Sequence, residues 1–590
     1  MIILGINCFG HDSAATLVID NKPVVAIEEE RLNRKKHFGG VPVMAIDACL
    51  QFANIKMSDV DHVTFFWKPS ISYAKIPVFL FKYFYRVPSL LREQRSFTVE
   101  ENLGMLNYLK QMNRMPETLQ GLYPDQKMKF QFHQFEHHLC HAASTFFSSP
   151  FEEAAILTID GAGEWSTSLL AHGRGNKLKK ISSVDTPHSL GAFYQAISRY
   201  LGFKLLEGPG KLMGLSSYGN PNAEVYERIK KLVKLTADGR FEIDIRYFSY
   251  HYTRKSGVSQ RFIDEFGPAM TQGKDWTPYQ LDIAAGVQRV VEDVFVHMAT
   301  YLQRVTGSKN LCIAGGVGLN SVANGVIASK RIFDNIFIQP ATGDSGTSLG
   351  SAMYLNHCVL KNPREYVMKS AFLGPEYTAD VYEQALKKHQ VKYVKSPGAH
   401  AQFAAKMLAQ GKILGWFQGR MEFGPRALGN RSIIASPLIE DMKRVLNARV
   451  KFREGFRPFA AIVLEEDCGT YFDNAYPNPY MLMVYNVRPE YLGKLPSITH
   501  VDKSVRIQTV NQSENPSMRA LLEAFKKETG YSVLVNTSFN IKGEPIVCTP
   551  DDAVRSFAEA DMDYLVMGDY IVGKSSDVNF FSEVESVSKV

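Results

Sequence analysis

Apolar and polar positions along the chain fall first into short, strand-like runs. Residues 2–6 are apolar, residues 7–13 form a polar turn, and apolar runs resume at 14–19 and 24–27. The same outline returns later: an apolar run at 155–159, the turn Asp160-Gly161-Ala162-Gly163-Glu164, a second run at 167–171, a glycine-rich turn, and a third run at 178–184. Runs of this length bounded by Gly, Asn and Asp predict strands. Two β-meanders, each with a first strand ending in Asn or Asp, predict duplicated α/β lobes with a cleft between them. The polar turn after each first strand would face that cleft and suit phosphate or metal.

Two strand–turn–helix patterns follow. Residues 311–314 run into Gly315-Gly316-Val317-Gly318-Leu319-Asn320, and residues 336–338 into Gly343-Asp344-Ser345-Gly346 with a helix at 347–355. Backbone amides at such turns favour anions. A charged, Pro-containing stretch at 362–375 predicts a boundary between domains at 1–362 and 376–590. The second half reads as helix 379–389, strand 391–394, helix 400–410 and strand 413–417. Later strands fall at 460–463, 481–487 and 533–535. The aromatic-basic segment 65–95 could receive an acceptor or touch a membrane surface, and reads first as a buried, irregular insertion.

Bulk composition narrows the function classes. The chain has 590 residues, 45% hydrophobic and 22% charged, which is ordinary for a globular protein. A net charge of +7 is too diffuse for wrapping nucleic acid. Seven scattered cysteines without a C-x-x-C pair argue against a disulfide framework or a zinc ribbon. No apolar run reaches the roughly 18 residues of a spanning helix, and the N-terminus lacks a basic leader region, so a cytoplasmic protein is expected.

Candidate chemistry concentrates in two places. His133, His137 and His141 follow a four-residue step, read here as one helix; the step puts His137 and His141 on one face, able to chelate a cation or to serve as a polar face. Asp160 and Asp344, at the ends of two proposed cleft strands, would complete a mixed imidazole–carboxylate set suited to Fe(II), Mn or Zn. His11, in the turn after the first strand, reads either as a general base for an acceptor hydroxyl or as a turn residue beside a capping Asp12. The run from Glu28 to Lys36 reads by itself as a solvated charged helix start, although a cation at its end could instead reach back to a nucleotide phosphate. The second concentration is basic: Arg420, Arg426, Arg431, Lys443, Arg444, Arg449, Lys451, Arg453 and Arg457 stand between Gly419 and Pro458. Arg426 lies in Gly424-Pro425-Arg426-Ala427-Leu428-Gly429, where Pro and Gly would hold a guanidinium fork still for a phosphate or carbamoyl group. Arg506 and the Asn536/Ser538 turn would add donors.

These blocks, with Gly10 to Ala15, His137 to Ala142, Gly208 to Gly214, Arg457-Pro458-Phe459 and Asn536 to Gly543, resemble the NodU/CmcH family of O-carbamoyltransferases nearly end to end. The resemblance implies duplicated actin-like lobes related to threonylcarbamoyl transferases, followed by a YrdC-like α/β domain. It also implies two steps of a biosynthetic reaction. Carbamoyl phosphate and Mg-ATP would give carbamoyladenylate with release of phosphate and pyrophosphate, at positions matching Arg426, Lys451, Arg506, Asn536 and Ser538. The carbamoyl group would then pass to a hydroxyl of a small-molecule natural product or glycan, with His11 catalytic and iron held by His137, His141, Asp160 and Asp344. Lys36, Asp160, Lys211, Gly316 and Asn320 match positions around the adenylate. The expected partners are ATP, carbamoyl phosphate and a hydroxylated acceptor, with no nucleic acid and no membrane span; a homodimer is also an expectation. A tRNA threonylcarbamoyl transferase and a non-catalytic actin-fold nucleotide-binding module are the competing readings. Residues 65–131 carry none of the shared blocks, which leaves the acceptor unnamed.

Overall fold

The computed structural model describes residues 1–82, 105–251, 257–271, 273, 275–473 and 476–588. They divide into two units, Met1–Glu30 with His37–Met368, and Arg31–Lys36 with Lys369–Val590. Residues 31–36 were read from sequence within the domain at 1–362; their neighbours place them in the second unit.

The first unit is built on two five-stranded sheets of one design. In the first, β1 (Ile2–Asn7) pairs antiparallel with β2 (Ala14–Ile19), and β2 with β3 (Lys22–Glu28). On its other side β1 runs parallel to β4 (His62–Phe65), which runs parallel to β5 (Gln131–Gln134). The second sheet repeats this with β6 (Glu153–Ile159), β7 (Ser166–Arg174) and β8 (Lys177–Asp185) as the meander. A short hairpin, β9 (Val233–Leu235) and β10 (Phe241–Ile243), intervenes before β11 (Asn310–Ala314) and β12 (Asn335–Ile338) extend β6 in parallel. The orders β3-β2-β1-β4-β5 and β8-β7-β6-β11-β12 are therefore the same topology used twice, the duplicated actin-like arrangement.

Helix Gly346–Met353 lies against the first sheet. Ser348 Oγ meets Thr16 Oγ1 at 2.8 Å and Ser351 Oγ meets Thr64 Oγ1 at 2.8 Å, so buried hydroxyls on the two elements satisfy each other. The close approach requires glycine: a Cβ on Gly5 would stand 2.0 Å from the Ser348 carbonyl oxygen, and one on Gly350 1.9 Å from that of Cys140 in helix His137–Phe146.

Three local expectations change. His133 lies in β5 rather than on the helix, which begins at His137. The described part of 65–95 contains a helix, Pro69–Lys82, rather than irregular chain, and Tyr73, Val78 and Phe81 on it are exposed rather than buried; residues 83–95 lie outside the described residues. Glu28, Glu29, Glu30 and Arg31 are buried, not solvated. Glu29 explains part of this: its carboxylate accepts from the amides of Met44 and Ala45 at 3.3 and 2.7 Å.

The second unit carries a nine-stranded mixed sheet. Its strands are β13 (Lys392–Lys395), β14 (Leu414–Phe417), β15 (Arg431–Ala435), β16 (Ala460–Leu464), β17 (Met483–Asn486), β18 (Ser504–Val510), β19 (Val533–Ser538), β20 (Tyr564–Met567) and β21 (Tyr570–Gly573). The order is β13-β21-β20-β14-β15-β19-β16-β18-β17. Helices His400–Ala409 and Pro516–Thr529 cover one face, their Leu408, Leu521 and Phe525 packed with Trp416, Ile462 and Leu534 of the sheet. No helix among the described residues is long and apolar enough to cross a membrane.

Candidate functional site

In the first unit, polar side chains gather where parallel strands end, the usual place for ligands in open α/β sheets. Asp160 follows β6, His137 opens the helix after β5, and Asp344 stands in the turn between β12 and helix Gly346–Met353. His141 Nε2 lies 2.8 Å from Asp160 Oδ2 and 3.7 Å from Asp344 Oδ1; His137 Nε2 lies 3.5 and 3.7 Å from the same two atoms. The two Nε2 atoms are 3.0 Å apart, and one ligand atom from each of the four residues falls within 4.8 Å of the others.

Both histidines are fully buried. Burial works against charge on His141, yet its hydrogen bonds to Asp160 and Asp344 raise its pKa to about 9. A buried pair of carboxylates therefore draws positive charge to this point. Two imidazole lone pairs and two carboxylate oxygens converging on one point make a donor set that fits a divalent transition metal. Glu164 steadies the approach: its two oxygens both accept from the His137 amide at 3.1 Å, and one accepts from Lys68 N at 2.7 Å. Sequence reading did not single it out.

His11 faces this cluster, with Nε2 4.0 Å from Asp344 Oδ2. Burial opposes its charging, but Asp12, Asp344 and Asp160 outweigh that and lift its pKa to about 10. A cation shared by Asp160 and Asp344 would take over the same compensation. Gly316 N donates to Asp160 Oδ2 at 3.1 Å, and a Cβ there would stand 3.0 Å from Asp160 Oδ1, so a larger residue would crowd the carboxylate.

Asn320 and Lys211 have partners of their own. The Asn320 side chain caps helix Ser321–Ser329 through Ala323 N at 3.0 Å and exchanges two bonds with Gln288 at 3.0 and 3.1 Å. Lys211 Nζ lies 3.4 Å from Glu207.

The second unit sorts the basic run into structural and convergent cations. Arg431 is fully buried, donates to the Gln418 and Gly419 carbonyls, and stacks 3.7 Å over Phe417. Arg420 ties down the Leu373 and Gly374 carbonyls, and Arg444 and Arg449 pair with Asp441 and Asp561. Apart from Lys443, which faces Asp502, what remains converges. Lys451 is buried and bonds Ser538 Oγ at 3.2 Å and Asn540 Oδ1 at 2.7 Å. Burial, then the charges of Arg453, Arg457 and Lys36, push its pKa well down. Burial, then Arg426, Arg453 and Arg457, does the same to Arg506. Arg426 is lowered to about 10 by burial and Arg457, and Arg453 to about 9 by burial and Arg457, against the attraction of Glu454.

The Nε atoms of Arg426 and Arg506 are buried without a partner. Register places Arg506 on β18 and Asn536 on β19 opposite the same residue, Ala460, whose small side chain separates them. Half-buried like charges with orphaned donors make a site for an anion. Arg453 and Arg457 join it, although sequence reading left them among the general basic run. Lys36 belongs to this unit, where sequence reading had set it beside the adenylate in the first domain.

The Arg426 loop is held on several sides. Glu422 Oε1 accepts from the amides of Leu428, Asn430 and Arg431 at 2.7, 2.8 and 3.1 Å. Gln508 donates to Leu428 O at 2.7 Å and Asn536 to Ala427 O at 3.2 Å. Arg31 Nη2 donates to Gly424 O at 2.8 Å.

Residues 2–353 match the family described as carbamoyltransferase N-terminus, and residues 405–574 that described as carbamoyltransferase C-terminus. An uncharacterized protein of Synechocystis sp. is 42% identical, with 97% of each chain covered. The nodulation protein NolNO of Sinorhizobium fredii is 34% identical over 96% of this chain and 80% of its own. The 3'-hydroxymethylcephem-O-carbamoyltransferase of Amycolatopsis lactamdurans is 32% identical over 64% of this chain and 73% of its own.

Proposed function

Since the chain belongs to the carbamoyltransferase family and is an enzyme, we propose that it makes carbamoyladenylate from carbamoyl phosphate and Mg-ATP in its second unit. The first unit then carbamoylates a hydroxyl of a small-molecule natural product or glycan. The observation that carries the reading is the half-buried cluster of Arg426, Lys451, Arg453, Arg457 and Arg506, whose like charges a bound polyanion would offset.

In the first step water cleaves the P–O bond of carbamoyl phosphate, releasing phosphate and leaving carbamate. A carbamate oxygen attacks the α-phosphorus of ATP and pyrophosphate leaves. Arg426 and Arg506 orient the anions through their free donors, while Lys451, held by Ser538 and Asn540, and Asn536, which braces the loop, fix their surroundings. In the second step the acceptor O–H gives its proton to His11. The oxygen attacks the carbamoyl carbon, the bond from that carbon to the adenylate oxygen breaks, and AMP leaves.

His137, His141, Asp160 and Asp344 would hold Fe(II), or Mn or Zn, and a metal bound there supplies Lewis-acid stabilisation of phosphate charge. Gly316 keeps Asp160 aimed by backbone contact, and Lys211 and Asn320 remain assigned to the adenylate's surroundings, whereas Lys36 lies with the second unit's cations. The cephem enzyme's name specifies O-carbamoylation, which supports a hydroxyl as the acceptor here.

Adding carbamoyl phosphate to protein and ATP should release pyrophosphate. None, with or without a panel of hydroxylated acceptors, overturns the proposal.

A further inference from the structure

Asp12 does not cap a turn. Its two carboxylate oxygens are divided between two imidazoles: Oδ2 lies 2.8 Å from His11 Nδ1 and Oδ1 lies 2.9 Å from His37 Nδ1. A carboxylate only accepts, so each imidazole presents Nδ1–H to it. In the neutral imidazole, which a cation shared by Asp160 and Asp344 would favour, this contact leaves the lone pair on Nε2, the atom facing Asp344.

The backbone is shaped for this contact. Asp12 and His37 both adopt left-handed conformations, φ 58° and 57°, which non-glycine residues rarely occupy without a local reason. The chain at 38–40 lies along the turn at 9–13. Phe9 N donates to Gly39 O at 2.7 Å, Ser13 N to Phe38 O at 2.9 Å, and Ser13 Oγ to Gly40 O at 2.8 Å. Asn7 Nδ2 holds the Asp12 carbonyl at 3.0 Å, and Glu30 Oε2 accepts from His37 N at 2.7 Å. The turn carrying His11 is thus pinned on both sides, and the one freedom left to Asp12, rotation of its carboxylate, is stopped by His37.

We propose that Asp12 and His37 are positioning residues that hold the His11 imidazole in the Nδ1–H tautomer with Nε2 directed at the acceptor hydroxyl. The inference rests on the reading that His11 takes the acceptor's proton. It assigns a role to two side chains that the transfer chemistry has not otherwise used. The arrangement follows the logic of a carboxylate orienting a catalytic histidine, with a second histidine orienting the carboxylate.

The test uses the full-length protein and two readouts on each variant, pyrophosphate release and acceptor carbamoylation. Asp12→Asn tolerates the left-handed backbone but offers an amide where an acceptor-only group is needed; Asp12→Gly tolerates it and offers nothing. Both should lower kcat for carbamoylation by about 10²–10³-fold at unchanged acceptor KM, with pyrophosphate release at the wild-type rate. His37→Gly should lower kcat by about tenfold, and His37→Asn, which restores a donor to Asp12 on the same backbone, should recover most of it.

Wild-type transfer in Asp12→Asn, or no recovery in His37→Asn, would overturn the role. Equal loss of both readouts would overturn it as well, because the substitutions would then be acting on the whole chain. Asp12, Glu30 and His37 also offer a three-residue donor set. A second equivalent of metal that disappears in His37→Gly would replace positioning by cation binding and overturn the proposal. A wild-type protein that releases no pyrophosphate fails differently, by removing the two-step reading itself.

Discussion

The two functional regions solve opposite electrostatic problems. In the first unit two carboxylates and two buried imidazoles gather around one point and call for positive charge, which lifts His141 to about 9. In the second, six cations gather and call for negative charge; burial first, and then their mutual repulsion, pushes Lys451 and Arg506 well below their ordinary values. Neither arrangement is favourable alone, because buried charge without its counter-charge costs several kcal/mol. Each is understandable as half of a complex, one completed by a cation and the other by a polyanionic substrate. Their construction differs too. The acidic site is assembled from strand ends far apart in the chain, whereas most of the basic site comes from one loop-rich stretch, 426–457, joined by Arg506 and Lys36.

The strongest way to break the comparison is to remove a ligand of the first region. His141→Ala and Asp160→Asn should each lose the bound metal in stoichiometry measurements and lower carbamoyl transfer by about 10²-fold or more, with pyrophosphate release maintained. Unchanged metal content would refute the assignment.

The second region can be titrated with its own counter-charge. Pyrophosphate at about 100 times its Kd should stabilise the protein by about 2.7 kcal/mol in thermal denaturation, and Arg506→Met should abolish the effect. The same variant should raise the stability of the ligand-free protein, since it deletes a cation from a like-charged cluster. Destabilisation of the ligand-free protein would mean that Arg506 is structural.

A smaller effect separates scaffold from chemistry. Gly350→Ala forces helices Gly346–Met353 and His137–Phe146 apart, because its Cβ would stand 1.9 Å from the Cys140 carbonyl oxygen, at a cost of about 1–3 kcal/mol with weakened metal binding. Gly343→Ala, with nothing within 4 Å of its Cβ, should do neither.

How much of this was legible follows from how each part is encoded. The duplicated sheets were readable because strand runs and glycine turns are local signals, and the observed β1–β3 and β6–β8 meanders fall where the two patterns lie. The convergence of His137, His141, Asp160 and Asp344 was readable because strand-end positions in a repeated topology lead to one place. His133 misled because its four-residue step imitates a helix across a strand–helix junction that spacing does not mark. The Asp12–His37 contact was hidden, since it depends on two left-handed residues separated by an excursion of the chain into the second unit. Charge count likewise misjudged the basic run. Whether an arginine donates to backbone carbonyls and stacks on Phe417, as Arg431 does, or stands beside another cation, as Arg426 does beside Arg457, depends on loop geometry that composition does not carry.

The central claim is that one region makes the activated carbamoyl group and the other uses it. The direct measurement follows pyrophosphate release and acceptor carbamoylation side by side in Arg426→Ala and His11→Ala. Arg426→Ala should lose both, and His11→Ala should release pyrophosphate at the wild-type rate while carbamoylating about 10²–10⁴-fold more slowly. Equal loss of pyrophosphate release in the two variants would contradict the division of labour.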